Sequence, residues 1–115
     1  MKIKEKIQGN IAVLQISGNM MGGPETTALH EKVKSLLTDG IKKVVIDLSK
    51  VKWMNSSGLG VLMAVWGSLK KEGGNLKLAN VSEKINSLFM ITQLVQFFET
   101  YETVDRAMAA FSSGA

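Results

Sequence analysis

Apolar positions along this chain alternate between two rhythms. From Lys2 to Gln8, Ile3 and Ile7 stand among polar neighbours, and Gly9-Asn10 then supplies a tight-turn pair. Ile11 to Gly18 is a second extended run, apolar enough to be covered on both faces. The two runs predict a hairpin. Glu25 to Thr38 carries Leu29, Val33, Leu36 and Leu37 at helical spacing. Pro24 sits where that helix can begin, and Asp39-Gly40 ends it. Val44 to Leu48 is a β-branched run of the length of a central strand. Leu59, Val61, Leu62, Met63, Val65, Trp66 and Leu69 mark a long helix reaching Glu72. Gly73-Gly74-Asn75 breaks it, and Leu76 to Ala79 is a short strand. Ser82 caps a helix whose apolar face holds Ile85, Leu88 and Phe89. Leu94 to Tyr101 is ambiguous on pattern alone. Thr103 caps a last helix, Val104 to Phe111. Strands alternating with helices predict right-handed crossovers and a mostly parallel sheet.

The stretch between the central strand and the long helix concentrates the chemistry. Asn55, Ser56 and Ser57 are helix-start residues, because short polar side chains accept bonds from the free N–H groups of a first turn. Gly58 and Gly60 lack a Cβ, so another backbone or a phosphate can approach. In open sheets, sites lie at the carboxyl ends of strands, and Asn55 to Gly60 falls just past such an end. A phosphate on Ser57 would face unpaired N–H donors and the positive end of the helix dipole. Plain N-capping accounts for the same residues.

The wider stretch resembles the STAS domain of bacterial anti-sigma factor antagonists. The matching residues are Ile46-Asp47-Leu48-Ser49, then Val51-Lys52-Trp53-Met54, then Asn55-Ser56-Ser57-Gly58-Leu59-Gly60-Val61-Leu62. The resemblance implies an α/β fold with a STAS-like mixed, mostly parallel sheet and helices packed against it. The implied order is β-β-α-β-α-β-α-(β)-α, with a short edge strand around Phe98 to Tyr101. It also implies a function: an anti-sigma factor antagonist that switches partners. Unmodified, it would bind a serine-kinase anti-sigma factor; phosphorylated on Ser57, it would release it. A serine phosphatase would reset the switch. Asn55, Ser56, Ser57, Gly58, Leu59 and Gly60 would form the partner surface. The family usually has Asp where this chain has Asn55. That change removes an acceptor that would orient the serine hydroxyl, and also a repulsive neighbour for a phosphate. Many relatives carry a polar, often acidic stretch after the second strand, where this chain has Met20-Met21-Gly22-Gly23. Exposed methionines would make Met20 and Met21 an adaptable docking loop; the alternative is that they tuck onto the core. A second reading is a scaffold or subunit STAS domain in a sensory or transporter complex, with no phosphorylation cycle. Its standing interface would be Val61, Met63, Val65, Trp66 and the methionine loop. A third, a small-ligand sensor, needs a pocket.

Composition narrows the field further. The 115 residues suit one domain, expected over 1–111, with 112–115 a flexible tail. With no Cys and one His, there is no thiol chemistry and no multi-histidine metal set, and no cofactor is expected. His30, among polar neighbours, reads as a surface or boundary residue. A hydrolase elbow needs Gly-x-Ser-x-Gly and a base, but no His follows Ser57. Lys70 and Lys71 lie about four helical turns beyond it. No phosphate-loop motif occurs either, so the chain is not expected to be an enzyme. The net charge of +4 comes from dispersed lysines with a single Arg, Arg106. That favours a solvated surface, or attraction to an acidic partner, over direct nucleic acid binding. The apolar run Gly58 to Gly67 is far shorter than the roughly 20 residues of a membrane span. The charged first residues hold no signal core, so a cytoplasmic location without membrane insertion is the default.

Overall fold

A computed structural model of the chain describes residues 1–112. Five strands form one sheet: β1 (Lys2–Gln8), β2 (Ile11–Ser17), β3 (Lys43–Lys50), β4 (Asn75–Ala79) and β5 (Glu99–Tyr101). Their spatial order equals their chain order. β1 runs antiparallel to β2, and the other three pairings are parallel. The helices are α1 (Gly23–Thr38), α2 (Ser56–Lys71), α3 (Glu83–Ile91) and α4 (Val104–Ser112). The expected α/β architecture is therefore present, including the edge strand. Ser112, expected to open a tail, closes α4 instead. The remaining tail positions, 113–115, lie outside the described residues.

The caps follow the local chemistry. Asn55 Oδ1 accepts the Gly58 N–H at the start of α2 (3.1 Å), and Ser82 Oγ accepts that of Ile85 (3.2 Å). Thr103 Oγ1 accepts the Arg106 N–H (3.1 Å). Gly22 caps α1 without a side chain; Thr26 Oγ1 accepts its N–H (3.0 Å) and donates to its carbonyl (3.1 Å). Lys70 and Lys71 occupy the last turn of α2, where cations oppose the negative end of the helix.

Strand alternation divides the core in two. Ala12, Leu14, Ile16, Val44, Ile46, Leu48, Leu76 and Leu78 face one side, against Leu29 and Val33 of α1, Leu62 and Val65 of α2, and Phe89 of α3. Val13, Val45 and Ala79 face the other side, with Ala107 and Phe111 of α4. The second face also buries two charges, Asp47 and Lys77. The Lys77 ammonium reaches Glu99 at 3.1 Å and stands 4.7 Å from the centre of the Phe111 ring. A single turn of 3-10 helix, Leu94–Gln96, leads from α3 toward β5, and Phe98 closes the edge against Phe89 with ring centres 5.1 Å apart. No helix among the described residues is long and apolar enough to cross a membrane.

Asp47 accepts from Gln15 Nε2 (3.2 Å), Asn80 Nδ2 (2.9 Å) and the Ser49 N–H (3.0 Å). Burial alone pushes its carboxyl up, but these donors outweigh that and hold it below its ordinary value. Glu99 is lowered in the same way: burial opposes, while Asn75 and Lys77 prevail. A carboxylate with a depressed folded pKa adds stability above its unfolded pKa, and that stability is lost as pH falls through the folded value. Urea unfolding should therefore give a nearly constant stability from pH 7 to about 5, and a steep fall below about 4. Asp47→Asn should lower stability at pH 7 by about 1–3 kcal/mol and flatten the acid limb. An unchanged acid limb in that variant would assign the pH dependence elsewhere.

Candidate functional site

Two loops meet past the carboxyl ends of β2 and β3, and their backbones stay hydrogen bonded. Gly18 N–H donates to the Lys50 carbonyl (3.1 Å), Met20 N–H to that of Trp53 (3.1 Å), and Asn55 N–H to that of Met20 (3.1 Å). Met20 and Met54 thus form an isolated parallel bridge. Side chains add to it: the Trp53 N–H donates to Asn19 Oδ1 (3.1 Å), and Asn55 Nδ2 donates to the Met21 carbonyl (2.9 Å). Asn55 therefore performs two tasks at once. One end of its amide caps α2 and the other ties down the β2–α1 loop. An Asp at this position could cap but could not donate.

Beneath the loops, Met20 and Met54 are fully buried. Gly58 lies against them: a Cβ there would come within 2.9 Å of Met20 Cβ and 3.0 Å of Met54 Cβ, and would strike the Met20 carbonyl. Ser56 and Ser57 are the first two residues of α2, and both are exposed. The Ser57 hydroxyl has no hydrogen-bond partner among the described residues. Its backbone neighbour across the gap is Gly22, so the starts of α1 and α2 converge beside it.

The proposed site residues thus separate into two layers. Asn55, Ser56, Ser57, Gly60 and Met21 reach the surface, while Met20, Gly58 and Leu59 are buried and hold that surface from below. The methionine pair is split: Met20 belongs to the core, and Met21 stands 51% exposed. Asn19 and Gly22 belong to the same construction. Neither carries a local signal, because each acts on a residue more than thirty positions away. The helix face expected for a standing interface is mostly covered by the chain itself. Val65 is fully buried, and Trp66 meets Phe97 edge-on with ring centres 5.3 Å apart. His30 donates to or accepts from Ser68 at 2.8 Å, joining α1 to α2. No cluster of three or more His, Asp and Glu able to hold a metal occurs among the described residues.

The double role of Asn55 is open to a direct stability test. Asn55→Ala removes both bonds and should cost about 1–2 kcal/mol in urea unfolding. Asn55→Asp should recover the cap and not the tie, and fall between wild type and Ala. Gly58→Ala should be worse than either, near 3 kcal/mol, because the added methyl forces the two loops apart.

The STAS domain profile matches residues 2–107. The anti-sigma-B factor antagonist of Bacillus subtilis is 44% identical over 66 residues, which is 57% of this chain and 60% of that protein. The chain therefore matches less than two thirds of that relative's length. A solved anti-sigma factor antagonist from Mycobacterium paratuberculosis superposes with a TM-score of 0.80 at 27% identity, covering 95% of this chain and 92% of that one. Bacillus SpoIIAA has been solved in two forms. The unphosphorylated form gives a TM-score of 0.76 at 15% identity, covering 99% and 100% of the two chains. The phosphorylated form gives 0.75 at 16%, covering 96% and 99%. With a profile match over nearly its whole length and the same fold, the chain belongs to the STAS domain family.

Proposed function

We propose that this protein is an anti-sigma factor antagonist whose choice of partner is set by phosphorylation of Ser57. One observation carries the reading: a serine hydroxyl that is exposed and free of hydrogen bonds among the described residues, on the first turn of α2. Its family and the names of its relatives point the same way.

Unmodified, the surface made by Met21, Asn55, Ser56, Ser57 and Gly60 binds a serine-kinase anti-sigma factor, and the sigma factor goes free. The kinase brings ATP, Mg²⁺ and the base; this chain brings only the acceptor. A bond forms between Ser57 Oγ and the γ-phosphorus, the bond to the ADP oxygen breaks, and the hydroxyl proton leaves to the kinase. The product carries about −1.5 to −2 charge at pH 7. It sits beside the starts of two 16-residue helices, whose positive ends stabilise it. The fold therefore tolerates the group, and the partner surface changes in charge and bulk. SpoIIAA agrees with this economy, since both of its forms superpose equally well on this chain. Hydrolysis by a serine phosphatase restores the hydroxyl. The site of action is the cytoplasm, without nucleic acid contact or membrane insertion.

The test is phosphosite mapping after incubation with ATP and lysate of the source cells, phosphatase inhibitors present. Phosphate is expected on Ser57 and absent from Ser57→Ala. Ser57→Ala should hold the anti-sigma factor with or without ATP, and Ser57→Asp should bind it at least about tenfold more weakly. A complex that ignores both ATP and these substitutions would instead identify a standing scaffold.

A further inference from the structure

Two adjacent glycines open α1, and only one of them touches Ser57. Gly22 is held at φ +91° and ψ −172°, a region that is essentially glycine's alone. Gly23 also has a positive φ, +78°. Both positions thus disfavour a side chain on backbone grounds. Their surroundings make them different. A Cβ on Gly23 would meet nothing within 4 Å, whereas one on Gly22 would lie 2.9 Å from Ser57 Cβ and 3.2 Å from Ser57 Oγ. Rotation of the serine side chain can move Oγ away. It cannot move Cβ, which the backbone of α2 fixes.

We propose that Gly22 is an access-determining residue for Ser57: the absence of its side chain keeps the serine oxygen open to an electrophile from solvent. The loop passes the serine with clearance for a hydrogen atom and no more. In-line attack on a phosphorus needs one open face of Oγ. Any side chain at position 22 would press on the serine and leave the oxygen a narrower approach. The relevance to phosphoryl transfer rests on the reading of Ser57 given above, while the gate itself can be measured without any kinase.

The chain contains no Cys, so Ser57→Cys provides a single thiol at the gated position. Its rate of alkylation by iodoacetamide is compared in three proteins: Ser57→Cys alone, with Gly22→Ala, and with Gly23→Ala. Gly22→Ala should slow alkylation by about tenfold or more, the effect of an overpacked contact. Gly23→Ala also places a side chain at a positive φ, without the contact, and should stay within about twofold. Equal rates in all three proteins, or equal slowing by both alanines, would overturn the proposal. Should Gly22→Ala fail to fold, the opening is read with Gly22 in place: the Ser57→Cys thiol should alkylate within about threefold of a Ser56→Cys thiol on the same exposed turn, and a rate more than about tenfold slower would overturn the proposal. In the kinase assay Gly22→Ala should reduce phosphate incorporation in parallel with the thiol rate. If the thiol rates separate and the wild type takes no phosphate, the gate stands and the switch falls.

Discussion

Parallel strands usually stop exchanging hydrogen bonds where their loops diverge toward different helices. In this protein the exchange continues past the ends of β2 and β3, through Met20, Trp53 and Asn55. Everything at the candidate site depends on that continuation. It fixes the β2–α1 loop against the β3–α2 loop, places Met20 and Met54 in the core, and brings Gly22 beside Ser57. A site made of two loops would ordinarily be mobile. Here the exposed layer rests on two buried methionines and a glycine with no spare volume. The surface offered to a partner is thus preorganised, which reduces the ordering cost of binding.

The two faces of the sheet are built on different physics. The face under α1, α2 and α3 has an apolar centre, with the Glu5–Lys32 ion pair at its edge, and gains from area removed from water. The α4 face holds an ionised Asp47 and an ion-paired Lys77 among its apolar residues. Each buried charge is tolerable only because it is supplied with partners, the Asp by three donors and the Lys by Glu99 and two aromatic rings. The first face can repack with small losses. The second is specified group by group, and removing one member strands another.

What could be read from the chain follows the range of the interactions involved. Helices with local caps at Asn55, Ser82 and Thr103 were legible, because the cap and the N–H that donates to it lie within one turn. So was the central strand, whose β-branched run has few alternatives. The stretch from Leu94 to Tyr101 was not, because its turn depends on Gln93 at φ +63°, a conformation that only glycine or asparagine would have announced. Lys77 inside a buried strand was equally silent, since its partner Glu99 is 22 residues away. At the site, the serines were visible and their support was not. Asn55 read as a cap, and only the fold shows its second bond, to a carbonyl 34 residues earlier.

The identity of spatial and chain order in the sheet has a kinetic side. Each strand pairs with the one made just before it, so the sheet grows at a single edge without waiting for distant segments. The parallel pairs still join residues at least 22 positions apart, but a reordered sheet would demand wider separations and slower closure. On a ribosome, both stitched loops and the start of α2 are in hand once the first turn of α2 has emerged. The α4 face is completed last, and until then Asp47 and Lys77 remain in water. A nascent chain would therefore display its serine before it had closed its own core.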